Sequence, residues 1–293
     1  MYQTCIQIPA ELAEALEAFF CEEPQEHWVL YEETRLKTHE LQGYFMDQAE
    51  AEKGYAVLRA QFPELPQVGT GGVLEDKDWK EAYKLHFKAW SDRGLHFVPE
   101  WERNSYVLPV GDAMILLDPG MAFGTGNHET TRLCIRRILD TRELWGSARA
   151  DKRIIDAGCG SGILAIAAKK VGFGPTFAFD NDPDSVRISE ENATLCGLPG
   201  GVDFCWCGLE EGLGKRQADL VLANILAPVL IEHADLLLHA VASGGRLALS
   251  GILVKEVEAV RAHFAPAAER IWGVPATIDQ REDGEWADLL LVR

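Results

Sequence analysis

The segment Asp156-Ala157-Gly158-Cys159-Gly160-Ser161-Gly162 constrains this 293-residue chain more than any other. Residues 153–156 read as a short buried strand, and 163–171 as a helix. Alternating glycines between a strand and a helix let the backbone turn sharply and approach a ligand closely. Such a loop belongs at the carboxyl end of a strand in an open α/β sheet. The rest of this region agrees. Strands are expected at 176–180, 203–206, 218–224 and 246–250, and helices at 185–195, 229–239 and 255–264. Strand alternating with helix predicts a doubly wound, mostly parallel, Rossmann-like sheet. Strands near 270–274 and 286–292, with a turn around 279–284, are expected to pair as an antiparallel edge hairpin.

The first 70 residues follow a different pattern. Strands are expected at 3–8, 27–31, 41–46 and 67–74, and helices at 10–20 and 49–61. The order β-α-β-β-α-β is the ferredoxin-like arrangement of a small α+β domain. A charged amphipathic helix at 82–90 and a hairpin of 95–101 with 106–117 are expected to follow. The chain is therefore divided into a ferredoxin-like domain (1–70), a linker helix and hairpin (71–115) and a ligand-binding α/β domain (116–293).

Charge and cysteine content narrow the function. There are 28 Lys plus Arg against 46 Asp plus Glu, a net charge of −18. A chain this acidic repels phosphate backbones, so no direct nucleic-acid partner is expected, while a basic protein would be drawn to it. The seven cysteines include no C-x-x-C pair, so neither a disulfide framework nor a zinc site is expected. Cys205 and Cys207 are taken to point to opposite faces of a strand. The thiols suit a reducing, cytoplasmic setting. No apolar run approaches the roughly 18 residues needed to span a bilayer, and no membrane partner is expected.

Four groups of residues carry candidate chemistry. The glycine loop departs from the nicotinamide fingerprint G-x-G-x-x-G. Its third glycine, Gly162, comes one residue early, and Ile163 holds the sixth position. It also lacks the lysine of a nucleoside triphosphate loop. D-x-G-x-G-x-G, with Asp156, Gly158 and Gly160, is instead the pattern of S-adenosyl-L-methionine-dependent methyltransferases. Asp180 ends the next strand, 22 residues after Gly158, where a carboxylate can accept both ribose hydroxyl protons. Asp182 reads as a helix N-cap. Asn224 ends the strand at 218–224, in the string Leu222-Ala223-Asn224-Ile225-Leu226-Ala227. Amino-group methyltransferases of the N-P-P-Y type hold the attacking amine at this point. The prolines and the aromatic ring are missing here, which disfavours a nucleobase target. The last group is the segment Phe123-Gly124-Thr125-Gly126-Asn127-His128-Glu129-Thr130-Thr131. It is expected to fold over the cofactor, with Phe123 stacking and Thr131 donating a hydrogen bond. His128 is read as structuring the loop in preference to acting as a base.

These motifs resemble the bacterial PrmA-like family, the methyltransferases that modify large-subunit ribosomal protein eleven. The likeness runs through Glu75-Asp76-Lys77-Asp78-Trp79, Pro99-Glu100-Trp101, Leu117-Asp118-Pro119-Gly120-Met121-Ala122-Phe123-Gly124-Thr125-Gly126, residues 156–167, Asp180-Asn181-Asp182-Pro183, Ala223-Asn224-Ile225-Leu226 and Ser250-Gly251-Ile252-Leu253. The resemblance implies a class I methyltransferase fold and cofactor contacts at Thr131, Gly158, Asp180 and Asn224. Phe123, Gly124, Thr125, Asp156 and Gly160 are expected as further cofactor contacts from the glycine loop and the segment before it. The resemblance also implies that the ferredoxin-like domain recognises the substrate protein. Glu129 stands where the family has proline, and Asn127 where it has threonine. The expected reaction is methyl transfer to lysine or N-terminal amines, with Asn224 as catalytic residue and no metal. The alternatives are a lysine methyltransferase with another protein substrate, a nicotinamide-dependent oxidoreductase and a non-catalytic cofactor-binding protein.

Overall fold

The computed structural model describes residues 2–22, 27–33, 38–66, 70–73, 88–117 and 128–293. Its contacts divide the chain into two compact units, 1–86 and 87–293. The expected linker residues 71–115 straddle that division, with 88–115 packing in the second unit.

The first unit has the expected element order: β1 (Tyr2–Ile8), α1 (Ala10–Glu22), β2 (Trp28–Glu33), β3 (Thr38–Phe45), α2 (Gln48–Gln61) and β4 (Thr70–Val73). The sheet runs β2-β3-β1-β4, with every neighbouring pair antiparallel. Two β-α-β crossovers interleave in this order, as the ferredoxin-like reading requires. Asp47 starts α2 by accepting the Glu50 N–H at 2.9 Å, a cap worth about 1 kcal/mol. Ala51, Tyr55 and Leu58 then recur at helical spacing on its buried face. They close over a core that includes Leu16, Trp28, Leu41 and Phe45.

The second unit opens with β5 (Trp90–Asp92), β6 (Leu95–Pro99) and β7 (Ala113–Leu117). The expected hairpin of 95–101 with 106–117 is corrected here, because β6 and β7 pair in parallel. The loop between them carries the chain back to the start of β6. There the buried His96 ring binds both Tyr106 Oη and Asp112 Oδ2 at 2.8 Å, which sets the direction of β7. The hairpin is instead β5 with β6, turning on Arg93 and Gly94, both with positive φ. Residues 82–87 of the expected linker helix lie outside the described residues, and its last residue, Trp90, is extended and stacked on Phe97.

The large sheet follows α3 (Glu129–Trp145). Its elements are β8 (Ile154–Ala157), α4 (Ile163–Lys170), β9 (Thr176–Asp180), α5 (Pro183–Leu195), β10 (Asp203–Trp206), α6 (Leu209–Leu213), β11 (Ala218–Asn224), α7 (Ala227–Glu232), α8 (Ala234–His239), β12 (Val241–Leu253), α9 (Val257–Trp272), β13 (Thr277–Asp283) and β14 (Trp286–Val292). The strand order is β10-β9-β8-β11-β12-β14-β13, parallel from β10 to β12 and antiparallel beyond. The order reverses between β8 and β11, the switch point at which open sheets bind ligands.

Two element boundaries differ from expectation. The helix expected to stop at 264 runs through Pro266 to Trp272, so 270–272 is helix and the first hairpin strand is β13. Phe264, Ala267, Ala268 and Trp272 keep its apolar face buried, and that burial outweighs the proline. The single helix expected at 229–239 is two short ones, meeting at His233.

Candidate active site

The carboxyl ends of β8, β9 and β11 converge on a cleft of about 880 Å³. Gly158, Gly160, Asp180, Asn224, Ile225 and Gly251 line its floor and one wall. Three carboxylates, Asp180, Glu210 and Glu211, also line it, and no lysine or arginine does so among the described residues. Such a lining disfavours a phosphate-bearing ligand and suits a cationic one carrying hydroxyls.

The glycine loop is shaped by what packs around it. Gly158 has φ +72°, and a Cβ there would come within 2.6 Å of the Ile225 side chain. Gly251, with φ +81°, lies against the Ile225 backbone from the β12 side, where a Cβ would collide with the carbonyl. The turn after β11 is thus held between two positions where only glycine fits without strain. Behind the loop, Ser189 Oγ donates to Gly160 O at 2.8 Å, and Asn192 Nδ2 donates to Ser161 O at 2.9 Å. Both side chains come from the buried face of α5.

Asp180 ends β9 with both oxygens engaged. Oδ2 accepts the Gly160 N–H at 2.8 Å, and Oδ1 accepts the Asp182 N–H at 3.0 Å. Each carboxylate oxygen keeps a further lone pair that can accept a ligand hydroxyl. Asp182 caps α5, as expected, accepting from the Asp184 and Ser185 N–H groups.

Asp156 is fully buried at the end of β8. Its Oδ2 accepts the Ala165 N–H at 3.0 Å, while its Oδ1 has no partner among the described residues. Burial pushes its pKa up to about 7, the Ala165 N–H pulls it down, and the charge of Asp180 adds to the rise. Asn224 Oδ1 is likewise buried and without a partner among the described residues, on a residue that lines the cleft. A buried acceptor with nothing to accept costs about 1–3 kcal/mol, and a ligand donor would relieve it.

The N-terminus of α3 closes another side of the cleft. His128 Nδ1 caps the helix, lying 2.8 Å from Thr130 Oγ1 and 3.3 Å from the Thr130 N–H. His128 also faces the cleft, and the loop it is expected to structure lies outside the described residues. Thr130 lines the cleft, whereas Thr131 is buried with its hydroxyl unpartnered among the described residues. Ser250 Oγ donates to Thr130 O at 3.1 Å and fixes this helix end to β12. Phe123, Gly124 and Thr125 lie outside the described residues.

Ser189 and Asn192 are not singled out by the sequence, nor is Trp286, which reaches the cleft from the edge hairpin, and Ser250 stands in a family motif without an assigned role. Ser189 and Asn192 leave one trace, as polar residues three apart on a helix face that is otherwise apolar. Cys205 and Cys207, expected on opposite faces, share one. Residues two apart on an extended chain point the same way, and both thiols pack against the same core cluster.

Comparison with known proteins gives a consistent set. The family described as "Ribosomal protein L11 methyltransferase (PrmA)" matches residues 9–293. A protein named ribosomal protein L11 methyltransferase from Pelobacter propionicus is 34% identical over 292 residues, covering 98% of this chain and 84% of that protein. One of the same name from Cupriavidus pinatubonensis is 39% identical over 213 residues, covering 72% of this chain and 65% of that protein. This second match therefore spans just under two thirds of its relative's length. The crystal structure of a ribosomal protein L11 methylase from Lactobacillus delbrueckii subsp. bulgaricus superposes with a TM-score of 0.60 at 32% identity. It covers 71% of this chain and 99% of that one.

Proposed function

The chain belongs to the ribosomal protein L11 methyltransferase (PrmA) family, and from that premise we propose that it methylates lysine or N-terminal amines of ribosomal protein L11, with S-adenosyl-L-methionine as methyl donor. One observation carries the reading. The glycine loop, the Asp180 carboxylate and the unpartnered Asn224 Oδ1 meet at the switch point of the sheet, in a cleft whose charged lining is acidic. These groups fit the donor. When bound, it supplies a methyl group already activated on a sulfonium.

The chain's own residues then hold and aim. Gly158 and Gly160 give the backbone close approach, and Asp180 accepts the ribose hydroxyls. Thr131, from the family likeness, and Asp156, Phe123, Gly124 and Thr125, from the sequence motifs, complete the proposed cofactor contacts. Asn224 Oδ1 accepts an N–H of the incoming amine, together with the carbonyl of Ile225, so that the nitrogen lone pair faces the methyl carbon. An ammonium has no lone pair, and desolvation beside Asn224 lowers the amine's pKa so that it enters neutral. No general base is required. We assign residues 1–70 to recognition of the substrate protein and 116–293 to the cofactor. The net charge of −18 speeds encounter with a basic substrate, in the cytoplasm and without direct nucleic-acid or membrane contact.

The test is labelled S-adenosyl-L-methionine with purified ribosomal protein L11, read by peptide mass spectrometry. Methyl groups on lysine or the N-terminus are expected. Cofactor binding without any label on L11 would overturn the substrate and turn the search to other basic proteins. Asn224→Ala is expected to lower kcat about a hundredfold, the effect of mis-aiming a nucleophile. Wild-type turnover in that variant would remove Asn224 from the mechanism.

A further inference from the structure

Cys205 and Cys207 stand at the outer end of the sheet, beside the cleft. Among the described residues, strand β10 is an edge strand and pairs only with β9. Two hydrogen bonds fasten its end to the Asp180 turn. The Cys207 N–H donates to Asp180 O at 3.0 Å, and the Trp206 indole N–H donates to Asn181 O at 3.1 Å. Cys207 is buried and lines the cleft, and Gly208, Leu209, Glu210 and Glu211 continue that wall. Cys205 is half-buried. Three other thiols, Cys134, Cys159 and Cys196, are each buried.

We propose that Cys205 and Cys207 form a reversible, peroxide-sensitive dithiol that closes the cleft to its cofactor when oxidised to a disulfide. The inference rests on the reading of this cleft as the S-adenosyl-L-methionine site. Residues two apart on an extended strand have Cα atoms about 6.6 Å apart, at the upper end of the span that a disulfide bridges. The two side chains face the same way against the same core cluster. An edge strand with one neighbour can bend enough to shorten that span, at the expense of its last ladder bond.

The chemistry balances with a peroxide as oxidant. The more accessible Cys205, as thiolate, attacks a peroxide oxygen and breaks the O–O bond. This gives a sulfenic acid and, with the thiol's proton, one water. The Cys207 sulfur then attacks that of Cys205. The S–S bond forms, and hydroxide leaves and takes the Cys207 proton as a second water. Two thiols lose two electrons, which the peroxide gains. Burial and the adjacent Cys205 push the Cys207 thiol up to about 12, which suits it to the second step rather than the first. Drawing Cys207 toward Cys205 pulls its N–H from Asp180 O and displaces residues 208–211.

The experiment compares the reduced full-length chain with chain treated with hydrogen peroxide, then with dithiothreitol. Non-reducing peptide mapping is expected to show a Cys205–Cys207 bond. Calorimetry should show S-adenosyl-L-methionine binding about tenfold weaker in the oxidised form, the size of one hydrogen bond lost at a buried site. Dithiothreitol should restore it. Cys205→Ser should bind like the reduced wild type and ignore peroxide. The proposal is overturned if both thiols stay free, if Cys205 pairs elsewhere, if the bond forms with affinity unchanged, or if Cys205→Ser loses affinity on oxidation as the wild type does. If the reduced chain binds no cofactor, the functional reading falls. Hydrogen exchange at the Cys207 amide then still decides, being slow in the reduced chain and fast in the oxidised one if the proposal holds.

Discussion

Asp156 and Asp288 are both buried in the seven-stranded sheet, the first fully and the second nearly so. Their surroundings differ. Asp288, on β14, is gripped by Arg137 of α3, with Nε to Oδ2 at 2.8 Å and Nη2 to Oδ1 at 2.5 Å. The Arg281 N–H adds a third bond at 3.1 Å. Arg137 also reaches Asp279 on β13, so one guanidinium ties the helix to both hairpin strands. Asp156 has a single backbone donor and one oxygen with nothing to accept among the described residues. The completed carboxylate fixes the hairpin to the fold. The incomplete one lies at the ligand end of the sheet, beside the glycine loop. Between these two carboxylates, hydrogen-bond completeness rather than burial separates framework from site.

The largest expected effect tests the framework side. Arg137→Leu leaves Asp288 buried without a counter-charge and should cost about 3–5 kcal/mol in urea unfolding of the full chain. Arg137→Leu with Asp288→Leu should recover much of that loss, because no charge is then stranded. A cost below about 1 kcal/mol for the single variant would mean that Asp288 is neutral or hydrated. The contrast between the two carboxylates would then collapse.

The next effect tests the site side. With a folded pKa of about 7 against an unfolded value near 3.8, Asp156 keeps its proton in the native state while the unfolded chain has lost it. The native state therefore binds more protons between those values, and its stability falls as pH rises from about 4 to 7. Above pH 7 the fall ends, because both states are ionised. Asp156→Asn removes this slope. It should be more stable than the wild type at pH 8, by something on the order of 2–4 kcal/mol, with the difference shrinking to near zero at pH 4. Identical pH profiles for the two proteins would show Asp156 already ionised and held by groups beyond those described.

What the sequence made legible was local. The glycine loop, Asp180 at a strand end and the Asp182 cap each announce themselves within a few residues, and the alternation of elements carries the sheet. The cleft's supports were not legible. Ser189, Asn192 and Ser250 act on backbone carbonyls 29, 31 and 120 residues away, and nothing local names those partners. The direction of β7 was misread because it is set by His96 meeting Tyr106 and Asp112 across the loop, not by the strand's own pattern. The expected end of that helix at 264 follows local propensity, while the burial of Ala267, Ala268 and Trp272 that carries it past Pro266 is tertiary.

The same contrast recurs at smaller scale between two aspartates that are nearly adjacent. Asp180 lines the cleft, and its oxygens retain lone pairs beyond the two backbone bonds they accept. Replacing it with Asn keeps an oxygen but removes the charge that would strengthen the proposed bonds to ribose hydroxyls. Asp180→Asn should weaken S-adenosyl-L-methionine binding about ten- to a hundredfold, with little change in melting temperature. Asp182 serves only the helix. Its oxygens accept the Asp184 and Ser185 N–H groups and the Ser185 hydroxyl, which hold its carboxyl below the usual range. Asp182→Ala should lower the melting temperature by roughly 2–4 °C and leave cofactor affinity unmoved. The depressed pKa means that this contribution is present above the unfolded value and is lost as pH falls through the lowered folded value, so the melting difference should shrink in acid. A crossed result, with Asp182→Ala weakening the cofactor and Asp180→Asn only melting earlier, would reverse the assignment of ligand and cap within this turn.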